Sequence, residues 1–171
     1  EGLKRAKSLN KNSFKFNGGV NYNLFLENKD KVEIKELNNF DKVIGYLGAI
    51  REIVDQDLII HLAEKFPNHA FLIIGPKYCS ISKLKQKHNI IIVGEIKHNE
   101  VPKYLKNFNI GIIPYIKNNF TDGIYPAKLN EYLASNLDVI STDINGVLEY
   151  NNDNNNIIKI AKNKFEFVDC I

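Results

Sequence analysis

Lys128 and Glu131 stand three positions apart behind a proline, in the run Tyr125-Pro126-Ala127-Lys128-Leu129-Asn130-Glu131-Tyr132. Residues of these types at this spacing can hold an anion and a pair of hydroxyls side by side. Proline suits the first turn of a helix, where its missing N–H costs nothing, so a helix is expected over 126–134. The amides of Ala127, Lys128 and Leu129 would then point at its N-terminus, where a diphosphate is well placed. A lysine in the first turn opposes the helix dipole and makes more sense beside a bound anion; a solvated surface lysine explains it equally well. Glu131 falls one turn on, on the same side as Lys128. Its carboxylate can accept both hydroxyl hydrogens of a ribose, or merely pair with Lys128 along the helix to little effect. Leu129, Tyr132 and Leu133 are expected to face the core.

Such a helix needs a sheet edge to work against, and the rest of the chain supplies one. Short apolar runs over 43–48, 71–75, 90–94, 110–114, 139–142 and 157–160 read as strands, alternating with helical spacing over 55–66, 80–87, 100–108 and 164–171. The expected fold is α/β: a doubly wound, Rossmann-like parallel sheet of about six strands, covered on both faces. Ligands of such sheets bind beyond the carboxyl ends of the strands, where the strand order reverses. That directs attention to Gly48-Ala49-Ile50-Arg51, Gly75-Pro76-Lys77, Gly94-Glu95-Ile96-Lys97 and the stretch 114–126. Each glycine alone is a common way to leave a strand; three on one edge favour close approach of a ligand. Residues 1–40 have weak periodicity, with a short helix over 2–9 and a turn at Asn17-Gly18-Gly19, and read as a connecting segment. Residues 41–171 read as the ligand-binding domain, and the run 151–156, five asparagines and Asp153, as a polar loop.

Composition excludes several classes. A net charge of +3, interleaved along 171 residues, gives no nucleic-acid footprint. Cys79 and Cys170 are too few for a disulfide framework and have no metal-ligand spacing. No G-x-G-x-x-G or Walker lysine is present, which disfavours a nicotinamide cofactor or a hydrolysed triphosphate. No apolar run reaches the length of a membrane span. The chain starts at Glu1 and contains no Met, as an excised piece of a longer protein would. His61, His69, His88 and His98 show no partnered nucleophile and read as structural.

The run 125–142 resembles the P-x-K-x-x-E-Y-L-A-x-G-x-P-V-I-x-T segment of bacterial glycosyltransferases with the GT-B fold, in the large family 4. Ile44-Gly45-Tyr46-Leu47-Gly48-Ala49-Ile50 is similar to that family's first C-domain strand. Val93-Gly94 through Val101-Pro102-Lys103-Tyr104-Leu105 resembles its G-x-x-x-x-x-x-L-P-x-Y-L region, and Asn109 through Tyr115 its D-V-x-L-x-P strand. Asn17-Gly18-Gly19-Val20-Asn21 is similar to the N-G-V-D that closes its N-terminal domain.

The resemblance implies the donor-binding half of an enzyme that moves a sugar from an NDP-sugar, UDP- or GDP-linked, to a cell-surface polysaccharide or related acceptor. Transfer would be metal-independent and retaining, with no further cofactor. The acceptor-binding N-terminal domain would be missing, leaving this piece alone inactive. The implied location is cytoplasmic, with membrane contact at the inner face open through the missing half. By the same resemblance Glu131 takes the ribose, the amides at Ala127, Lys128 and Leu129 the diphosphate, Gly94-Glu95-Ile96 the base, and Gly48 with Ala49 the phosphate loop. The pattern also departs from the family. Its first glutamate falls at Gly123, with Asp122 as a substitute, and Ala49 stands where an arginine is usual, leaving Arg51 and Lys77 as candidate cations. Asn136 and Asp138 replace a glycine and a proline. Lys128 and Asp122 are the candidate catalytic residues. Half of a nucleotide-sugar epimerase on the same fold is the alternative, and a carboxylate pair or a histidine near Glu131 would favour it; neither is visible in the sequence. A receiver-like regulatory module would need paired acids after the first strand and a lysine after the fifth, where Ala49 and Asp143 stand.

Overall fold

The computed structural model describes residues 2–16, 18–28 and 30–171. Six parallel strands form one sheet: β1 Lys42–Leu47, β2 His69–Ile74, β3 Ile90–Gly94, β4 Ile110–Ile113, β5 Asp138–Thr142 and β6 Lys159–Ala161. Their order is β3-β2-β1-β4-β5-β6, so the direction of winding reverses between β1 and β4. The helices are α1 Gly2–Leu9, α2 Tyr22–Glu27, α3 Gln56–Lys65, α4 Val101–Leu105, α5 Lys128–Ala134, α6 Asn145–Asp153 and α7 Lys164–Cys170. Sheet strands buried on both faces must be apolar at consecutive positions, and Phe71, Leu72, Ile73 and Ile74 are all buried. α3 begins where the Asp55 carboxylate accepts from the Leu58 amide at 2.8 Å, a side-chain cap. It lays Leu58, Ile59, Leu62 and Ala63 on the sheet, each larger side chain contributing about 1.5–3 kcal/mol by burial. No helix of the described residues is long and apolar enough to cross a membrane.

The reversal point has its own packing. β1 and β4 pair only at Ile44–Ile110 and Gly45–Gly111 before they part. Side chains from neighbouring elements come down on the two glycines: a Cβ on Gly45 would lie 2.0 Å from the Phe108 ring, and one on Gly111 2.7 Å from the Tyr132 ring. Beyond them the Tyr132 hydroxyl fills the gap, accepting from the Leu47 amide at 2.8 Å and lying 3.3 Å from the Ile112 carbonyl. One buried hydroxyl thus satisfies backbone groups of both parting strands.

Four expectations are corrected. The expected helix over 80–87 reduces to a 3₁₀ turn, Leu84–Gln86, because Ser80 and Ser82 bond each other locally instead of the helix ladder. α4 stops at Leu105, before the expected 108: the Asn107 side chain donates to the carbonyls of Tyr104 at 3.2 Å and Val32 at 3.0 Å, ending the ladder. α5 begins at Lys128 and not at Pro126, which lies in the turn before it. The supposed polar loop starts inside α6. Asn151 is buried and clamps Ile158 by two bonds, its amide donating to the carbonyl at 3.0 Å and its oxygen accepting from the N–H at 2.8 Å. In the first forty residues α1 lies where expected, α2 was not foreseen, and the Asn17 turn lies outside the described residues.

At the end of α5, Asn136 occupies the left-handed region (φ 54) while the Leu137 amide reaches back to the Tyr132 carbonyl at 3.1 Å. Asparagine tolerates that conformation better than most residues. It does here what glycine does in the resembling segment, so the fold absorbs this departure.

Candidate functional site

The carboxyl ends of β1, β2 and β3 end at Gly48, Gly75 and Gly94, which bond in series: the Gly48 amide to the Ile74 carbonyl and the Gly75 amide to the Gly94 carbonyl, both at 2.7 Å. Gly75 (φ +144) is a packing requirement, since a Cβ there would lie 2.2 Å from the Gly48 carbonyl oxygen. Gly48 (φ +129) is different: a Cβ there would lie 2.8 Å from the Lys128 ammonium. The missing side chain of Gly48 is therefore the space that the tip of Lys128 approaches. The Tyr46 hydroxyl donates to the Ala49 carbonyl at 2.9 Å and holds this loop down.

Lys128 is the surprise of the site. The sequence left it open between a solvated surface position and one beside an anion; it is 7% exposed. Its Nζ lies 3.9 Å from the centre of the Tyr46 ring and 4.8 Å from that of Tyr115, and donates to the Tyr115 hydroxyl at 2.9 Å. Among the described residues it makes no ion pair within 4 Å, Glu131 included. Burial lowers its pKa to about 7, with Glu131 opposing the shift. Burial also raises the pKa of the Glu131 carboxyl, while His98 and Lys128 pull it back. Glu131 keeps 17% of its side chain exposed, and His98 Nδ1 is 3.8 Å from its Oε1. The Tyr46 and Tyr115 hydroxyls are raised by burial and stay protonated at neutral pH.

Lys128, Glu131 and Gly48 thus sit together at the β1–β4 reversal, as a ligand site on this fold requires. Other expected members do not join them. Leu129 is fully buried and its amide donates to the Pro126 carbonyl at 3.0 Å, so it is not free for a phosphate. Of the three expected amides, those of Ala127 and Lys128 remain. Arg51 stacks on the Tyr78 ring at 4.3 Å. Lys77 is exposed, and its backbone bridges to Ile50. Asp122 turns to α6, where its Oδ1 accepts from the Asn145 amide at 3.3 Å, and Gly123 faces open space. Gly94, exposed Glu95 and half-buried Ile96 line the loop that carries His98 towards Glu131.

Three residues escaped the reading of the sequence. Tyr46 lies in an apolar strand and Tyr115 just past one, with nothing to mark them apart from core tyrosines. His98 follows Gly94 by four positions, and this loop position was the one available signal.

A parallel sheet whose winding reverses between β1 and β4, with helices on its faces, defines a doubly wound, Rossmann-like α/β domain. The family model described as "Glycosyl transferases group 1" matches residues 27–170, and the chain belongs to that family. The Bacillus subtilis (strain 168) protein that bears the name teichuronic acid biosynthesis glycosyltransferase TuaH is 31% identical over 131 residues, covering 74% of this chain and 33% of that protein. Anabaena HepE, crystallised with UDP-glucose, superposes with a TM-score of 0.62 at 14% identity, over 88% of this chain and 44% of HepE. A trehalose-6-phosphate synthase, OtsA, gives a TM-score of 0.63 at 11% identity, over 89% and 41%. The last two share the fold. The chain spans between a third and less than half of the length of these relatives.

Proposed function

We propose that this chain is the nucleotide-sugar-binding part of a glycosyltransferase that delivers a sugar to a cell-surface polysaccharide or related acceptor. In this reading residues 41–171 bind the donor, and residues 1–40 connect them to an acceptor-binding unit in the whole protein. The observation that carries the reading is the placing of Glu131 and Lys128 together beside Gly48 at the β1–β4 switch point. Family membership supports transfer as the reaction, the name of the Bacillus relative supports a cell-wall polymer as acceptor, and the HepE complex supports a UDP-linked donor.

The chemistry is electrostatic. Departure of a nucleoside diphosphate leaves developing negative charge, which fixed dipoles and a poorly hydrated cation stabilise without reorganising. The amides of Ala127 and Lys128 and the edge at Gly48 line the diphosphate, and Glu131 accepts from the ribose hydroxyls. The loop Gly94-Glu95-Ile96 borders the base. Transfer proceeds with retention and needs no metal or further cofactor. Titration calorimetry with UDP, GDP and ADP tests the reading. One diphosphate should bind, and Glu131→Ala should weaken it about tenfold or more, as loss of hydrogen bonds to a charged group does. If no nucleotide binds, or the variant binds as the parent does, the site is misassigned.

The contact of His98 with Glu131 favours a second reading, half of a nucleotide-sugar epimerase, since a carboxylate–imidazole pair can move a proton at a sugar carbon. The family match and the 69% exposure of the His98 side chain place it second. Incubation of UDP-glucose with the chain in D2O decides: deuterium in the sugar would support it, and its absence removes it.

A further inference from the structure

The carboxyl edge of the sheet carries a second recess, over the ends of β4, β5 and β6 and between α3 and α7. Its volume of about 450 Å³ lies within the range of small-ligand sites. Leu58, Ile116 and Phe167 give it an apolar lining, and Ile116 stays 43% exposed there. Tyr115 borders both this groove and the donor site, where its hydroxyl accepts from Lys128.

The charges around the groove do not balance. Asp55 caps α3, Asp57 pairs with Lys83 at 3.1 Å, Glu64 pairs with Lys87, and Asp143 pairs with Lys117 at 2.7 Å. Every carboxylate of the lining is therefore engaged. Lys162 and Lys164, both exposed, have no carboxylate within 4 Å among the described residues. Their backbone is fixed: Asn163 between them caps α7, and the Glu166 carboxylate accepts from the Lys162 amide at 2.9 Å. Two cations are thus held at the rim of an apolar groove. The ligand that satisfies both features is an anion with an apolar face. A pyranose ring that bears a carboxylate has both: its C–H face suits the lining, and its charge suits the lysines.

We propose that this groove is an acceptor subsite for an acidic sugar, a hexuronate unit held by Lys162 and Lys164 over Leu58, Ile116 and Phe167. The proposal rests on the nucleotide-sugar reading and adds the substrate class of the acceptor and the residues that select it. Placement supports it. A donor at the β1–β4 reversal and an acceptor unit over β4–β6 share one edge of the sheet, with Tyr115 between them.

The test follows the backbone amides of the 171-residue chain by heteronuclear NMR. Methyl β-glucuronide, methyl β-glucoside and acetate are each titrated, with and without a saturating nucleoside diphosphate (UDP, with GDP and ADP alongside). The glucuronide should shift the amides of Lys117, Asp143, Lys162 and Lys164 and bind about fivefold or more tightly than the glucoside. Acetate has the charge without the ring and should bind as weakly as the glucoside. The double variant Lys162→Ser, Lys164→Ser should lower glucuronide affinity to that of the glucoside and leave diphosphate affinity within about twofold. Added salt should weaken the glucuronide alone, and the diphosphate should leave its shifts in place. No glucuronide binding, equal affinity for the glucoside, acetate binding as strongly (an adventitious ion only), displacement by the diphosphate, or a double variant that behaves as the parent overturns the proposal and leaves the donor reading standing. If none of the diphosphates binds, the donor reading falls, and a glucuronide held in the groove is then no acceptor.

Discussion

Tyr132→Phe removes one oxygen atom and tests how the sheet is held open at its functional edge. The hydroxyl accepts from the Leu47 amide at 2.8 Å and lies 3.3 Å from the Ile112 carbonyl, in a side chain with no exposure. Phenylalanine keeps the ring that covers Gly111 and leaves the Leu47 N–H buried without an acceptor. An orphaned buried group costs roughly 1–3 kcal/mol, and for a chain of this size each kcal/mol lowers Tm by about 2–4 °C. A loss of about 2 kcal/mol and a Tm drop of about 4–8 °C are therefore expected. Thermal melts followed by circular dichroism, with urea titrations at constant m, measure both. Tyr22→Phe, with Tyr22 54% exposed, serves as the control and should stay within about 0.5 kcal/mol of the parent. If Tyr132→Phe melts within about 1 °C of the parent, then water or strand movement satisfies Leu47, and the hydroxyl is not what bridges β1 and β4.

Two further predictions concern the same helix. Asn136→Ala should destabilise by about 1 kcal/mol because alanine lacks the short polar side chain that lets asparagine tolerate the left-handed backbone, while Asn136→Gly should be neutral or slightly stabilising; equal effects in urea melts would refute the cap assignment. Glu131→Gln should raise stability at neutral pH. The folded pKa of Glu131 is raised above 4.5, so its favourable contribution is present below the unfolded value and lost as pH rises through the folded one. The Tm advantage of the variant should shrink as pH falls towards the unfolded pKa, and an advantage independent of pH would contradict the burial of the carboxylate.

The fold was legible because buried parallel strands have a plain signature. Runs such as Phe71-Leu72-Ile73-Ile74 cannot sit at a surface, and their spacing leaves room for crossovers. Helix ends and side-chain traps were less legible. Asn151, in a run dense with asparagine, has the composition of a loop, yet it is the residue whose two bonds to Ile158 hold α6 against the start of β6. Its neighbours cannot announce this, because the partner lies seven residues on. Gly48, Lys128 and Glu131, singled out by type and spacing, come together at the reversal of strand order, while the amide of Leu129 is used at the start of the helix.

The sequence alone determined which residues can carry charge and where strands leave the sheet, since both are properties of local chemistry and period. The surroundings of Lys128 were decided only in three dimensions. Tyr46 comes from β1 and Tyr115 from just beyond β4, eighty-two and thirteen positions away, and they meet the lysine because β1 and β4 part at the reversal of strand order. That geometry takes the lysine out of water and makes it a buried cation beside Gly48. A helical first turn by itself would have left it a solvated surface charge.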